Sequence, residues 1–249
     1  MAEPTYTLVS GASSGIGRAI AIELSKTDNL ILHGRNRQKL EETVRLCTGG
    51  NHVIWTYDLA NVDSLQQDFE QFITANKLPI SKFVHSAGVA SPCAIRAVDL
   101  EYVRRLINVN TVSAMLLTGS LMRRKIAAGT MESIVFISAV SAGMGTSGSS
   151  VYGASKAMLD GFVKSAAIEL APKVRINSIR PGFIKSKMTD TFFAIPDAID
   201  AIAKRHPLGI GMPSDVAGVV AFLLSDAARW ITGSQVMVDG GASCDLTFK

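Results

Sequence analysis

The chain lacks any apolar run able to span a membrane: the best, Val219–Leu224, is far shorter than the roughly 18 residues a span requires. Met1–Thr7 has no basic stretch ahead of an apolar one, so no secretion signal is read there. Cysteine is scarce and odd in number: Cys47, Cys93 and Cys244 stand far apart, with no histidine at metal-ligand spacing. That excludes a disulfide framework and a zinc site, and fits a reducing cytoplasm. Aromatic residues make up only 6% of the chain, and none interleaves with the basic clusters Arg35, Arg37, Lys39 and Arg123, Arg124, Lys125. A net charge of +4 without aromatic stacking partners argues against nucleic-acid binding. Repeats, low-complexity tracts and linker-like shifts in composition are absent as well.

What remains is a chain of 249 residues, 47% hydrophobic, with ample material for one core, read as one domain over 1–249. Short apolar runs alternate with helical patterns. Strands are expected at Tyr6–Ser10, Leu30–His33, Val53–Thr56, Lys82–His85, Ser133–Ser138, Val174–Ile179 and Gln235–Val238. Helical periodicity fills the gaps, as in Gly15–Leu24 and in Leu65, Phe69, Phe72 and Ile73. Right-handed crossovers make this a Rossmann-type, doubly wound α/β fold: a seven-stranded parallel sheet with helices on both faces. Such sheets bind ligands at the carboxyl ends of their strands.

Between the first strand and first helix stands Ser10-Gly11-Ala12-Ser13-Ser14-Gly15-Ile16-Gly17. Glycines there allow a tight turn and close backbone approach to a pyrophosphate, and the helix start offers N–H donors and a positive dipole end. The spacing is Gly-x-x-x-Gly-x-Gly. With it the chain resembles the short-chain dehydrogenase/reductase family over nearly its whole length, closest to the branch of bacterial 3-oxoacyl-carrier-protein reductases. Ser10 then stands for the family's threonine. The resemblance implies that Asp58-Leu59 meets the adenine, that Ser86-Ala87-Gly88 lies along the nicotinamide-side ribose, and that Pro181-Gly182, Ile184 and Ser186 hold the carboxamide side. It also implies a homodimer or homotetramer.

The second strand ends His33-Gly34-Arg35-Asn36-Arg37. NAD-binding sheets place an acid there to accept from the ribose hydroxyls; this chain has glycine, then arginine. A guanidinium grips a 2′-phosphate with paired, charge-assisted hydrogen bonds that a carboxylate would repel. The expected cofactor is therefore NADP(H), held by Arg35 and Asn36, with Arg18 assisting.

Tyr152-Gly153-Ala154-Ser155-Lys156 sets Tyr and Lys on one helix face, a turn apart. A free phenol, with a pKa near 10, transfers protons poorly at neutral pH. A nearby ammonium and an oxidised nicotinamide both favour the phenolate, so Tyr152 is expected to act as proton donor in reduction with Lys156 lowering its pKa. The resemblance assigns Asn110 to a water-holding proton relay. Two positions depart from the family. Its Asn-Asn-Ala-Gly reads His85-Ser86-Ala87-Gly88, with His85 expected to be a packing residue. Its substrate-orienting serine falls on Ala139, with Ser138 before it and Ser141 beyond. Either Ser138 or Ser141 fills the role, or the enzyme works weakly without it, or the chain is a serine-to-alanine variant. Loss of one such group costs on the order of 10²–10³ in rate.

Residues 187–211 are expected to form a substrate lid whose underside carries Met188, Phe192, Phe193 and Ile195. Three functions compete. The first is reduction of a 3-oxoacyl thioester, with Arg123, Arg124 and Lys125 attracting an acyl carrier protein; Ile168, where such reductases often carry arginine, speaks against carrier binding. The second is reduction of a specialised-metabolite, sugar or steroid ketone. The third is an NADP(H)-binding sensor or scaffold with impaired turnover, suggested by Ala139.

Overall fold

The computed structural model describes residues 4–127, 129–190, 195 and 197–244. The strands are β1 Tyr6–Ser10, β2 Asn29–Gly34, β3 His52–Thr56, β4 Ile80–His85, β5 Ser133–Ile137, β6 Arg175–Pro181 and β7 Gln235–Val238. All pair in parallel, in the order β3-β2-β1-β4-β5-β6-β7. Every strand foreseen is present. β5 stops one residue early, at Ile137, while β6 runs on to Pro181 because its ladder with β7 continues through Pro181 opposite Val238.

The helices are α1 Gly15–Leu24, α2 Arg37–Leu46, α3 Leu65–Asn76, α4 Leu100–Ile107, α5 Ser113–Met122, α6 Arg124–Ala127, α7 Ser150–Leu170, α8 Ala198–Lys204 and α9 Pro213–Leu224. They cover both faces of the sheet. Residues of β1 alternate between two cores: Leu8 joins Phe69, Phe83 and Leu117 on one side, and Val9 joins Ile20, Leu40 and Val220 on the other. Burial on both faces explains why these strands read as continuous apolar runs. No helix among the described residues is long and apolar enough to cross a membrane.

Two local features place the site. A π-helical turn, Asn108–Val112, joins α4 to α5 and presents Asn110 toward the strand ends. Gly153, in the first turn of α7, lets that helix rest on the loop after β5: a Cβ there would lie 2.6 Å from the Ser141 carbonyl oxygen.

Candidate active site

A cleft of about 410 Å³ opens at the carboxyl ends of the strands. Its floor is the glycine turn. A side chain at Gly11 would strike the Ala87 backbone at 2.7 Å, and one at Gly17 would strike the Gly11 carbonyl at 2.2 Å. Gly11 itself has φ +72°, in the left-handed region that favours glycine. Gly11, Ser13, Ser14, Gly15, Ile16 and Gly17 all line the cleft. This cradle fits a pyrophosphate laid on the start of α1.

Arg35, Asp58 and Leu59 line one end of the cleft, Arg35 lying 3.8 Å from the Asp58 carboxylate with both side chains more than half exposed. The main chain at Gly34 is tight: a Cβ would lie 3.3 Å from Leu40 and 3.5 Å from the Ser13 hydroxyl. Ser86, Ala87 and Gly88 form the middle wall, with Pro181, Gly182, Ile184 and Ser186 opposite. Thr189 shapes that wall: its hydroxyl accepts from the Ser186 N–H at 2.9 Å and donates to the Ile184 carbonyl at 2.8 Å.

Several expected cofactor groups are spent elsewhere. The Ser10 hydroxyl is fully buried and accepts from Ser86 N–H and Ala87 N–H at 3.2 and 3.1 Å, so it braces β1 to β4 and stays outside the cleft. Asn36 caps α2, its side chain accepting from Lys39 N–H at 3.0 Å, as asparagine does at helix starts. Arg18 turns to Thr43, to the Ser13 carbonyl and to Glu42, fastening α1 to α2.

Tyr152 and Lys156 line the cleft together. The Lys156 ammonium lies 6.0 Å from the centre of the Tyr152 ring and donates to the Ile137 carbonyl at 2.8 Å. It also faces the backbone at Gly88, where a Cβ would sit 3.2 Å from it. Burial pushes the Lys156 ammonium down to about 8, against the opposing pull of Asp160. Burial pushes the Tyr152 phenol up to about 12. In the protein by itself, then, desolvation outweighs the expected lowering by lysine.

Asn110 is fully buried and does not line the cleft. Its amide accepts from Val89 N–H at 2.8 Å and donates to the Val89 carbonyl and the Ser155 hydroxyl, at 3.0 and 2.9 Å. The side chain therefore pins the loop after β4 to α7.

Ser138 lines the cleft, but its hydroxyl is buried and already engaged, donating to the Asp160 carboxylate at 3.1 Å and the Lys156 carbonyl at 3.2 Å, which leaves it no free proton for a substrate oxygen. Ser141 is not among the residues that line the cleft, whereas Ala139 is. Ala139 thus brings a methyl group, and no hydroxyl, to the cleft wall. His85 is packed as expected: it is fully buried, edge-on to Phe83 and Phe136, with Nδ1 3.0 Å from the Ser10 hydroxyl.

Arg105 and Val89 also line the cleft, and no local signal marks them. Arg105 belongs to α4, and the turn that follows α4 is tied to the loop after β3 by Asn108 Nδ2, which donates to the Ala60 carbonyl at 3.1 Å. Of the foreseen lid residues, Met188 lines the cleft, Ile195 is exposed, and Phe192 and Phe193 lie outside the described residues. Within residues 187–211, His206 accepts from Phe183 N–H at 3.1 Å. The basic trio is misplaced for a carrier: Arg123 and Lys125 pair with Glu70, and the following Thr130 donates to the Ile80 carbonyl at the opening of β4. That is the amino end of the sheet, opposite the cleft.

A family model described as enoyl-(acyl carrier protein) reductase matches residues 11–243. The chain is 36% identical over 239 residues to 3-oxoacyl-[acyl-carrier-protein] reductase of Rickettsia conorii, covering 94% of this chain and 95% of that protein. It is 34% identical over 247 residues to (3R)-3-hydroxyacyl-CoA dehydrogenase of Homo sapiens, covering 94% of each. Among solved structures, a 4-hydroxyisoleucine dehydrogenase complexed with NADH superposes with a TM-score of 0.89 at 29% identity, covering 97% of this chain and 99% of that one.

Proposed function

The chain belongs to the short-chain dehydrogenase/reductase family of oxidoreductases, and from that premise we propose that it reduces the ketone of a 3-oxoacyl thioester to a secondary alcohol with NADP(H). The observation that carries the reaction type is the meeting of Tyr152 and Lys156 with the glycine cradle in one cleft. The substrate class is supported by two relatives whose names share acyl chains functionalised at the third carbon. Arg35 beside Gly34 supports NADP(H), against the NADH complex of the 4-hydroxyisoleucine dehydrogenase.

The residues present fit a dinucleotide: the Gly11–Gly17 turn for the pyrophosphate, Arg35 for a 2′-phosphate, Asp58 and Leu59 for the adenine, Ser86–Gly88 and the Pro181–Ser186 wall for the nicotinamide half. When bound, that cofactor supplies the hydride. Tyr152 gives its proton to the substrate oxygen as the carbonyl is reduced, and Lys156 steadies the phenolate left behind. Asn110 keeps the Val89 loop and α7 in register around the pair. With Ala139 in the wall, the oxygen is held by Tyr152 without a second hydroxyl, which gives a slow enzyme rather than an inert one.

The reading extends to one cytoplasmic domain acting as a homodimer or homotetramer. It is supported by three unpaired cysteines and by Trp230, 93% exposed just ahead of the edge strand β7. A carrier protein, if one delivers the substrate, approaches the cleft mouth near Arg105 and Lys187 rather than Arg123–Lys125.

The test is NADPH consumption with an acetoacetyl thioester, by the native chain and by Ala139→Ser. Turnover that Tyr152→Phe abolishes supports the proposal; a flat trace even with serine at 139 sinks the substrate class. A ketone panel then separates a reductase of sugars, steroids or specialised metabolites from a sensor that binds NADP(H) and turns over nothing.

A further inference from the structure

Asp160 lies one helical turn beyond Lys156, on the same face of α7, and is 3% exposed. Its carboxylate is enclosed by three donors, two from β6 and one from the residue that follows β5. Ser178 donates to one oxygen at 2.5 Å; Arg180 Nε and Ser138 donate to the other at 2.7 and 3.1 Å. Ser138 is shared, since its hydroxyl also lies 3.2 Å from the Lys156 carbonyl. Arg180 continues outward beneath the loop after β5, where a Cβ at Gly143 would stand 3.0 Å from its Nη1. The Lys156 ammonium forms no ion pair with this carboxylate and donates to the Ile137 carbonyl. Asp160 therefore acts on Lys156 through space.

A carboxylate buried this deeply persists only when paired and fully hydrogen-bonded. Such an arrangement is costly for mere packing, and apolar side chains would fill the same space between α7 and β6. We propose that Asp160 is a positioning residue for proton transfer: the Asp160–Arg180 pair, caged by Ser138 and Ser178 one helical turn from Lys156, keeps that ammonium charged beside Tyr152. This rests on the reading of Tyr152 and Lys156 as the proton-transfer pair. The charged and titratable groups acting on or beside Lys156 are Tyr152 and Asp160 from α7 and His85 from β4, with Arg180 from β6 paired to Asp160. Asp160 is the anion among them, and it opposes the effect of burial on the lysine.

The test reads the lysine directly, through the pH titration of the Lys156 side-chain carbon resonance in lysine-labelled protein, assigned by its loss in Lys156→Arg. Asp160→Asn is expected to move the midpoint down by about one pH unit, and Arg180→Gln to move it up. Asp160→Glu, which keeps the charge, should restore most of the native value. A role confined to packing predicts no ordered pair of opposite shifts. An unmoved midpoint in Asp160→Asn, or shifts of the same sign in both variants, overturns the proposal. If Asp160→Asn does not fold, the direction in Arg180→Gln decides alone. The titration needs no turnover, so failure of Tyr152→Phe to abolish reduction would overturn the functional reading and leave this measurement standing.

Discussion

The Lys156 ammonium stands 6.0 Å from the centre of the Tyr152 ring, yet its hydrogen bond goes to the Ile137 carbonyl at the end of β5. Burial therefore acts on each of the two groups separately. Lys156 is held down at about 8 from 10.5, because the charged form is penalised in the folded protein. Between those values the unfolded chain binds more protons than the folded one, so stability rises with pH. Native protein should gain about 3 kcal/mol at most on going from pH 8 toward 10. Lys156→Met should be more stable than native below pH 8 and lack that rise, while losing turnover; urea midpoints at pH 7, 8 and 9.5 check it. Above pH 10 the raised Tyr152 phenol acts in the opposite sense, which bounds the useful window.

Ala139→Ser should raise kcat by roughly 10- to 1,000-fold with little change in KM, since a hydroxyl there acts on the oxyanion more than on the bound ketone. Ser138→Ala should leave the substrate KM in place, because its hydroxyl is committed to Asp160. Steady-state kinetics on the two variants distinguish the positions.

Arg35→Ser should weaken NADPH binding roughly tenfold to a hundredfold, the worth of a charge-assisted contact, and leave NADH binding almost unchanged. Its ion pair with Asp58 is exposed, so the melting temperature should hardly move. Cofactor dissociation constants from fluorescence titration decide the matter.

His33 and His85 are buried and neutral, burial lowering them from 6.5 to about 4 and about 3. As pH falls below 6.5 the unfolded chain takes up their protons first, so the stability present at neutral pH is lost progressively. From pH 6.5 to 5 the loss should be about 3 kcal/mol for the two together. Denaturant midpoints of the native chain should drop over that interval, and the double variant His33→Gln, His85→Asn should flatten the drop. Glu70 and Asp239, both lowered carboxyls, titrate below this window and do not confuse it.

The parts of the site legible in sequence are those made by neighbours along the chain. The Gly11–Gly17 turn needs only its own backbone freedom and a helix start. Tyr152 and Lys156 need only one turn of α7 to share a face. The strands announce themselves by apolar runs, which a sheet covered on both faces demands of every residue. Tertiary structure decided where the short polar side chains point. The Ser138 hydroxyl is taken up by a carboxylate on α7 that is itself paired with an arginine on β6. Asn36 had a helix end of its own to cap, Ser10 had two N–H groups of the β4 loop to accept, and Arg123 and Lys125 had Glu70 at the far end of the sheet. Local propensity acts over a helical turn or a strand, and sequence carries it openly. The direction of a hydroxyl or guanidinium is settled by charges from elements that only folding brings near.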